Sequence, residues 1–252
     1  MLFPAVCHIH SCWSYDGNWP LPTIAAEFGQ RGYRIVMTTE HDRGFDESRR
    51  LLHREACAQA TSDKVLLLSG IEYSDASNIV HVLVWGPVPF LGEGMPTAEL
   101  LKAVKTSNGV AVLAHPSRRN AWRLYDPRWA KDLNGIELWN RKTDGWAPSR
   151  NAPSLLDNSG VATFVGMDFH NRRQLFPLAM NLDIRTALNE QSVLDCLRTR
   201  RCYATAFGAP VGGHLLGGAS LALKAAEFSR RTAAWIYRSL TAPRASQCST
   251  AR

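Results

Sequence analysis

Phe3-Pro4-Ala5-Val6-Cys7-His8-Ile9-His10-Ser11 opens the chain with the composition of a short strand, and Ser14-Tyr15-Asp16-Gly17 follows it. Residues two apart on a strand project to the same face. His8 and His10 would then point together, as two imidazoles gripping one metal ion would. A lone His-x-His on a half-buried strand is equally well explained by packing. The other histidines decide between the two.

Most fall at or just after strand ends; His81 lies inside its strand, and His53 on a helix and His214 in the tail are left over. Tyr33 to Thr39 is β-rich and leads into Glu40-His41-Asp42, and Lys64 to Ser69 reads as a buried strand delivering Glu72. Ile79 to Trp85 alternates, with His81, Leu83 and Trp85 on one face. Val110 to Ala114 runs into His115-Pro116, Gly135 to Trp139 presents Glu137 and Asn140, and Ala162 to Gly166 opens into Asp168-Phe169-His170. Helical stretches separate these runs at Pro20 to Gly32, Glu47 to Ala60 and Thr97 to Asn108. A weaker one is expected at Asp126 to Asp132, another near Pro153 to Asn158, and a last at Gln191 to Arg200 before Cys202 to Phe207. Strands alternating with helices predict parallel βαβ units, and about seven strands come close to an eight-stranded α/β barrel. No linker divides residues 1–210.

The 252 residues are 45% hydrophobic and 20% charged, as expected of a soluble globular chain. The net charge of +7 is uneven: residues 214–252 contribute +5 and the rest only +2. The pI near 9.3 therefore describes the tail and does not mark the core as a nucleic-acid binder. Gly212-Gly213 and Gly217-Gly218 suggest a loop. Beyond it Leu221, Ala225, Phe228, Trp235, Ile236 and Leu240 recur at helical spacing among Lys224, Arg230, Arg231 and Arg238. A basic C-terminal helix packed on the barrel is expected over 211–252, with a membrane-surface or partner helix as the alternative, and Ala242 to Arg252 disordered. The six cysteines form no CxxC pair, no signal peptide fits before His8, and no apolar run could cross a bilayer. Reduced thiols and a cytoplasmic location follow as expectations.

Imidazole and carboxylate together are a ligand set for Zn, Mn or Fe. Six histidines with several acids exceed what one ion needs, which predicts a multinuclear site with Glu72 as a bridge. A water shared between cations is acidified toward hydroxide and becomes a nucleophile near neutral pH. Cys7 and Cys12 beside these positions are read as packing residues, and Trp13, Trp85, Trp139 and Trp146 as core.

Taken in order, His8-x-His10 with Ser14-Tyr15-Asp16-Gly17, Thr39-Glu40-His41-Asp42, Gly70-Ile71-Glu72, Ala114-His115-Pro116, Gly135 to Asn140 and Gly166 to His170 resemble the motifs of the PHP (polymerase and histidinol phosphatase) family. The match spans residues 5–207, and Arg201 to Thr205 is similar to the segment that closes many such domains. The resemblance implies a distorted (β/α)7 TIM-like barrel around two or three divalent ions. It assigns His8, His10, Glu72 and Asp168 to one ion, Glu72, His81 and His115 to a second, and Asp16, His41 and His170 to a third. Glu40 stands where Asp is frequent, and Asp16 where some members carry His. Glu137 is left as a residue that orients ligands or loops.

The expected activity is that of a phosphoesterase, in which a metal-bridging hydroxide attacks phosphorus and Asp42 is the candidate proton donor. Arg118, Arg141 and Arg172 each follow a ligand motif and suit a phosphate, because the guanidinium fork bonds two oxygens at once. His81 and His115 are too close in sequence to hold the large insertion found in some nucleotide-acting relatives. A small phosphorylated metabolite is thus favoured over a nucleotide or nucleic acid, with C–N bond hydrolysis by the same metal site as a further alternative.

Overall fold

The computed structural model describes residues 1–149, 151–157, 159–211 and 218–241. Its strands form two mixed sheets of six. One has the order β12 (Ala209–Pro210), β11 (Cys202–Ala206), β10 (Leu178–Asp183), β1 (Leu2–Ile9), β2 (Ile35–Thr38), β4 (Leu66–Leu68). The other runs β3 (Glu40–His41), β5 (Gly70–Ser74), β6 (His81–Trp85), β7 (Val110–Ala114), β8 (Gly135–Asn140), β9 (Ala162–Gly166).

The α/β class is as expected, and β1, β2 and β4 pair in parallel, as do β7, β8 and β9. β3 and β5 also pair in parallel, and the remaining pairings depart from parallel βαβ units. Only residues 75–80 join β5 to β6, too few for a crossover, so the two pair antiparallel. β6 also pairs antiparallel with β7. β10, not anticipated as a strand, pairs antiparallel with β1 and β11. Its Asn181 and Asp183 interrupt the apolar run, although burial alternates along it as on a half-covered strand.

The two sheets meet at β1. Met167 and Phe169, just past β9, donate their amides to the Cys7 and His8 carbonyls, and the His10 amide donates to Phe169. β1 is buried on both faces: Phe3, Ala5 and Cys7 join one core with Met37, Trp85 and Phe164, while Val6 and Ile9 join another with Ile24, Phe28 and Phe169. Cys7 is thus a packing residue, whereas Cys12 is exposed. Trp85 and Trp139 are core as expected, but Trp146 is partly exposed.

α1 (Leu21–Gln30) buries Ile24 and Phe28. α2 (Glu47–Ala60) starts at Asp46, whose carboxylate accepts the Arg49 amide at 2.7 Å and satisfies a first-turn donor. α3 (Thr97–Thr106), α4 (Arg141–Asp144), α5 (Ala152–Leu156) and α6 (Glu190–Arg198) follow, and the weak helix expected at 126–132 is a 3-10 turn, Pro127–Lys131. α7 (Gly218–Thr241) packs Leu223 on the core and exposes Leu221 and Phe228. Its Glu227 is buried, accepts the Trp146 amide at 2.9 Å and binds Arg230 and Arg231. Among the described residues no helix is long and apolar enough to cross a membrane. The expected loop at 212–217 and the tail at 242–252 lie outside the described residues.

Candidate metal centre

His8 and His10 do not converge by simple alternation. The β1–β2 ladder runs Cys7 to Met37 and then Ile9 to Thr38, so His8 is an extra residue in a bulge, with φ +64°. His10 lies beyond β1, and the two rings are nonetheless 5.3 Å apart. His115 (φ +25°) and Asp168 (φ +50°) share this left-handed backbone. Each such residue costs on the order of 1–3 kcal/mol, sustained where surrounding structure fixes the turn. His81 is not inside its strand but begins it. Because β6 runs antiparallel, that first residue lies opposite Ser74 and Ala114, at the end of the sheet where β5 and β7 finish.

All nine predicted ligands come together around Glu72. Its Oε1 lies 2.8 Å from His81 Nδ1, 2.9 Å from His115 Nε2 and 3.5 Å from His8 Nε2. Oε2 lies 3.1 Å from His41 Nδ1 and 3.3 Å from His10 Nε2. Asp168 Oδ1 is 3.6 Å from His10 Nε2, and Asp16 is 3.4 Å from His41 Nε2 and 3.0 Å from His170 Nε2. Three groups have candidate ligand atoms all within 4.8 Å of one another: His10-Asp16-His41-His170, His8-Glu72-His115 and His8-His10-Asp168. Two atoms bound to one ion at about 2.1 Å sit roughly 3.0–3.4 Å apart, close to these spacings. Nε2 of His8 and His10, Oε2 of Glu72 and Oδ1 of Asp16 are buried without a hydrogen-bond partner. Bare lone pairs at ligand spacing fit divalent cations, because buried polar atoms otherwise find partners.

The electrostatics agree with a cation cage. Burial raises the Glu72 carboxyl, but His8, His81, His10 and His115 outweigh it and hold the group well below its usual value. Burial lowers His10 to about 4, with His41 and His170 adding repulsion, so its imidazole is neutral and able to coordinate. Asp42 lies in the cavity wall, accepts the Ser74 amide at 3.0 Å, and is raised to about 6 by burial, with Glu72 adding to the rise.

Glu137 props the centre from behind. Its Oε1 is 2.9 Å from His8 Nδ1, while Oε2 accepts the His115 amide at 2.7 Å and Asn140 Nδ2 at 2.9 Å. A histidine held at one ring nitrogen by a carboxylate presents the other to a metal. Asn140 is fixed in turn by Asp144, which accepts its amide at 2.8 Å. Burial raises the Asp144 carboxyl to about 7, although the Asn140 amide opposes the rise. Unfolded chain releases this proton near pH 4, whereas folded chain keeps it until about 7. Stability should therefore fall as pH climbs through that interval. Asp144→Asn is expected to flatten this part of the urea-midpoint profile; a profile unchanged from wild type would refute the assignment.

A cavity of about 390 Å³ opens onto the centre, lined among others by Tyr15, Asp42, Glu93, Arg118 and Lys142. Arg118 Nη1 is 3.1 Å from His81 Nε2, and Lys142 Nζ is 3.3 Å from Asp168 Oδ1 and 3.2 Å from His170 Nε2. Arg141 and Arg172 are placed elsewhere. Arg141 lies over the Phe176 ring and donates to the Arg173 carbonyl; Arg172 lies over Trp19 beside Glu27. Arg141 begins α4, and successive helical residues diverge by about 100°, so Lys142 faces the cavity instead. Lys142 directly follows Arg141 in the sequence, and that adjacency is the signal the residues offer for it.

No family model matches this sequence, and no curated protein matches it. Solved structures do match. One is a two-domain protein from Bacteroides vulgatus containing a predicted PHP-like metal-dependent phosphoesterase: TM-score 0.64, 18% identity, covering 84% of this chain and 67% of that one. PsfC from Pseudomonas syringae gives TM-score 0.59 at 13% identity, covering 92% of this chain and 98% of its own. A presumed metal-dependent phosphoesterase from Bifidobacterium adolescentis gives 0.51 at 18% identity, covering 77% and 95%. The chain shares the fold of these proteins.

Proposed function

We propose that this chain is a metal-dependent phosphoesterase of the PHP family that hydrolyses a small phosphate monoester. The observation that carries the reading is the convergence of nine His, Asp and Glu side chains, with unpartnered buried atoms at ligand spacing, at one cavity whose wall holds six of them together with Arg118 and Lys142. The phosphoesterase names of two fold neighbours support it. Residues 1–210 would be the catalytic unit, with 211–252 a basic appendage. The two sheets would be the halves of a distorted (β/α)7 barrel, a reading supported by the hydrogen bonds between the end of β1 and the chain leaving β9. A cytoplasmic setting fits the five free cysteines among the described residues.

In this reading His8, His10, Glu72 and Asp168 hold one ion. Glu72, His81 and His115 hold a second, and Asp16, His41 and His170 a third. Zn, Mn or Fe there would supply a nucleophilic water at neutral pH and neutralise phosphate charge. Arg118 on the His81 side and Lys142 on the His170 side bind phosphate oxygens, and Asp42 holds the proton the leaving alkoxide needs. Glu137 and Asn140 keep His8 and the His115 backbone in register.

Metal content of the purified chain, followed by turnover of sugar phosphates and histidinol phosphate with Mn²⁺, tests the proposal. Amide turnover without monoester turnover would overturn it. Arg118→Ala and Lys142→Ala should each raise KM about 10-fold or more, the worth of a charged hydrogen bond to phosphate. Arg141→Ala and Arg172→Ala should stay near wild type. Equal effects at all four positions would contradict the assignment.

A further inference from the structure

Glu137 reaches His8 directly, whereas a second buried carboxylate, Glu40, works at one remove. Each Glu40 oxygen accepts the Ser11 amide at 3.1 Å, Oε1 also accepts the Ser11 hydroxyl at 2.6 Å, and Oε2 accepts the Ser14 hydroxyl at 2.6 Å. Ser14 is where the chemistry becomes determinate. A hydroxyl has one proton and two lone pairs. Its proton points at Glu40. One lone pair receives the His41 amide at 3.0 Å, a group that can only donate. The remaining contact, His10 Nδ1 at 3.3 Å, must therefore donate as well. His10 thus carries its proton on Nδ1, and the bare Nε2 faces Glu72 and Asp168.

His10 and His41 share one candidate ligand group with Asp16 and His170, His8 and His115 share another with Glu72, and His8 and His10 share a third with Asp168. We propose that Glu40, acting through the Ser14 hydroxyl, is the positioning residue for His10 and His41, fixing the tautomer of one and the backbone of the other, while Glu137 does this separately for His8 and His115. The inference rests on the metal-centre reading above. It leaves the ion assigned to Glu72, His81 and His115 outside the reach of Glu40, so a defect at Glu40 would spare that position.

The test uses the full chain loaded with zinc. Metal content is measured during a chelator titration, and histidine-ring ¹⁵N–¹H spectra report which nitrogen carries the proton. Glu40→Gln and Ser14→Ala should each weaken the positions that use His10 and His41 about 10–100-fold, so that metal leaves them early, and keep the ion at Glu72, His81 and His115. In the wild type His10 should be protonated on Nδ1. Ser14→Ala should lose that signature, and Ser14→Thr, which keeps the hydroxyl, should restore both readouts. Ser14→Ala removes one hydroxyl only and serves if Glu40→Gln does not fold. Uniform loss of all metal, no loss at all, or His10 protonated on Nε2 in the wild type would overturn this proposal and leave the phosphoesterase reading standing. Selective metal loss from a chain that turns over no phosphate monoester would overturn that reading and leave this one.

Discussion

Glu72→Ala is expected to remove metal from more than one position and to lower phosphate-monoester turnover about 10³-fold or more. Both oxygens of this carboxylate face ligand imidazoles, with His81, His115 and His8 on one and His41 and His10 on the other. Without it five imidazoles remain around a site stripped of its central anion, and cations crowded there repel each other unshielded. Metal catalysis contributes several kcal/mol of charge stabilisation, which sets the size of the loss. Metal content and kcat measured on the same preparation check this. Glu93→Ala is the control, because Glu93 lines the same cavity but only accepts the Gly44 amide, and it should retain its metal. A Glu72→Ala chain with full metal occupancy would sink the assignment of Glu72 as the bridge.

Gly166→Ala is the second large effect expected. A methyl group at this position would run into the Glu137 carboxylate and crowd the His8 Cβ. Neither neighbour can yield cheaply. Glu137 is fixed by His8, the His115 amide and Asn140, and His8 is fully buried in its bulge. Overpacking of this kind costs about 1–3 kcal/mol, which in a chain of this length lowers Tm by roughly 2–12 °C. Zinc affinity should fall with it, because the methyl pushes on the prop behind His8 and His115. Wild-type melting and wild-type zinc affinity together would show that Glu137 is loosely seated.

Much of the candidate site could be read from the residues alone because groups able to hold a metal are demanding in type and position. His41, His115, Asp168 and His170 follow apolar runs whose strand character is plain, and the structure gathers them, with the first three in the wall of one cavity. The misplacements have physical causes. His8 and His10 looked like neighbours on one pleated face; a bulge brings their rings together instead, and bulges leave no mark in residue pattern. His81 looked mid-strand because Ile79 and Val80 extend the apolar run, yet β6 starts two residues later and runs backwards relative to a parallel unit. β10 was missed where polar residues face outward. The guanidinium fork points to Arg141 from the residues alone, while the turn of a four-residue helix places its neighbour Lys142 at the cavity instead. Glu40 shows the opposite limit: a Glu in place of Asp reads as a trivial change until the serines it grips are seen.

The seam between the sheets has a mechanical consequence. His8 comes from one sheet, whereas Glu72, His81 and His115 come from the other, so ions lodged among them would act as rivets through two plates. Cohesion of the halves and chemistry at their junction would then rise and fall together, leaving little freedom to retune one without loosening the other.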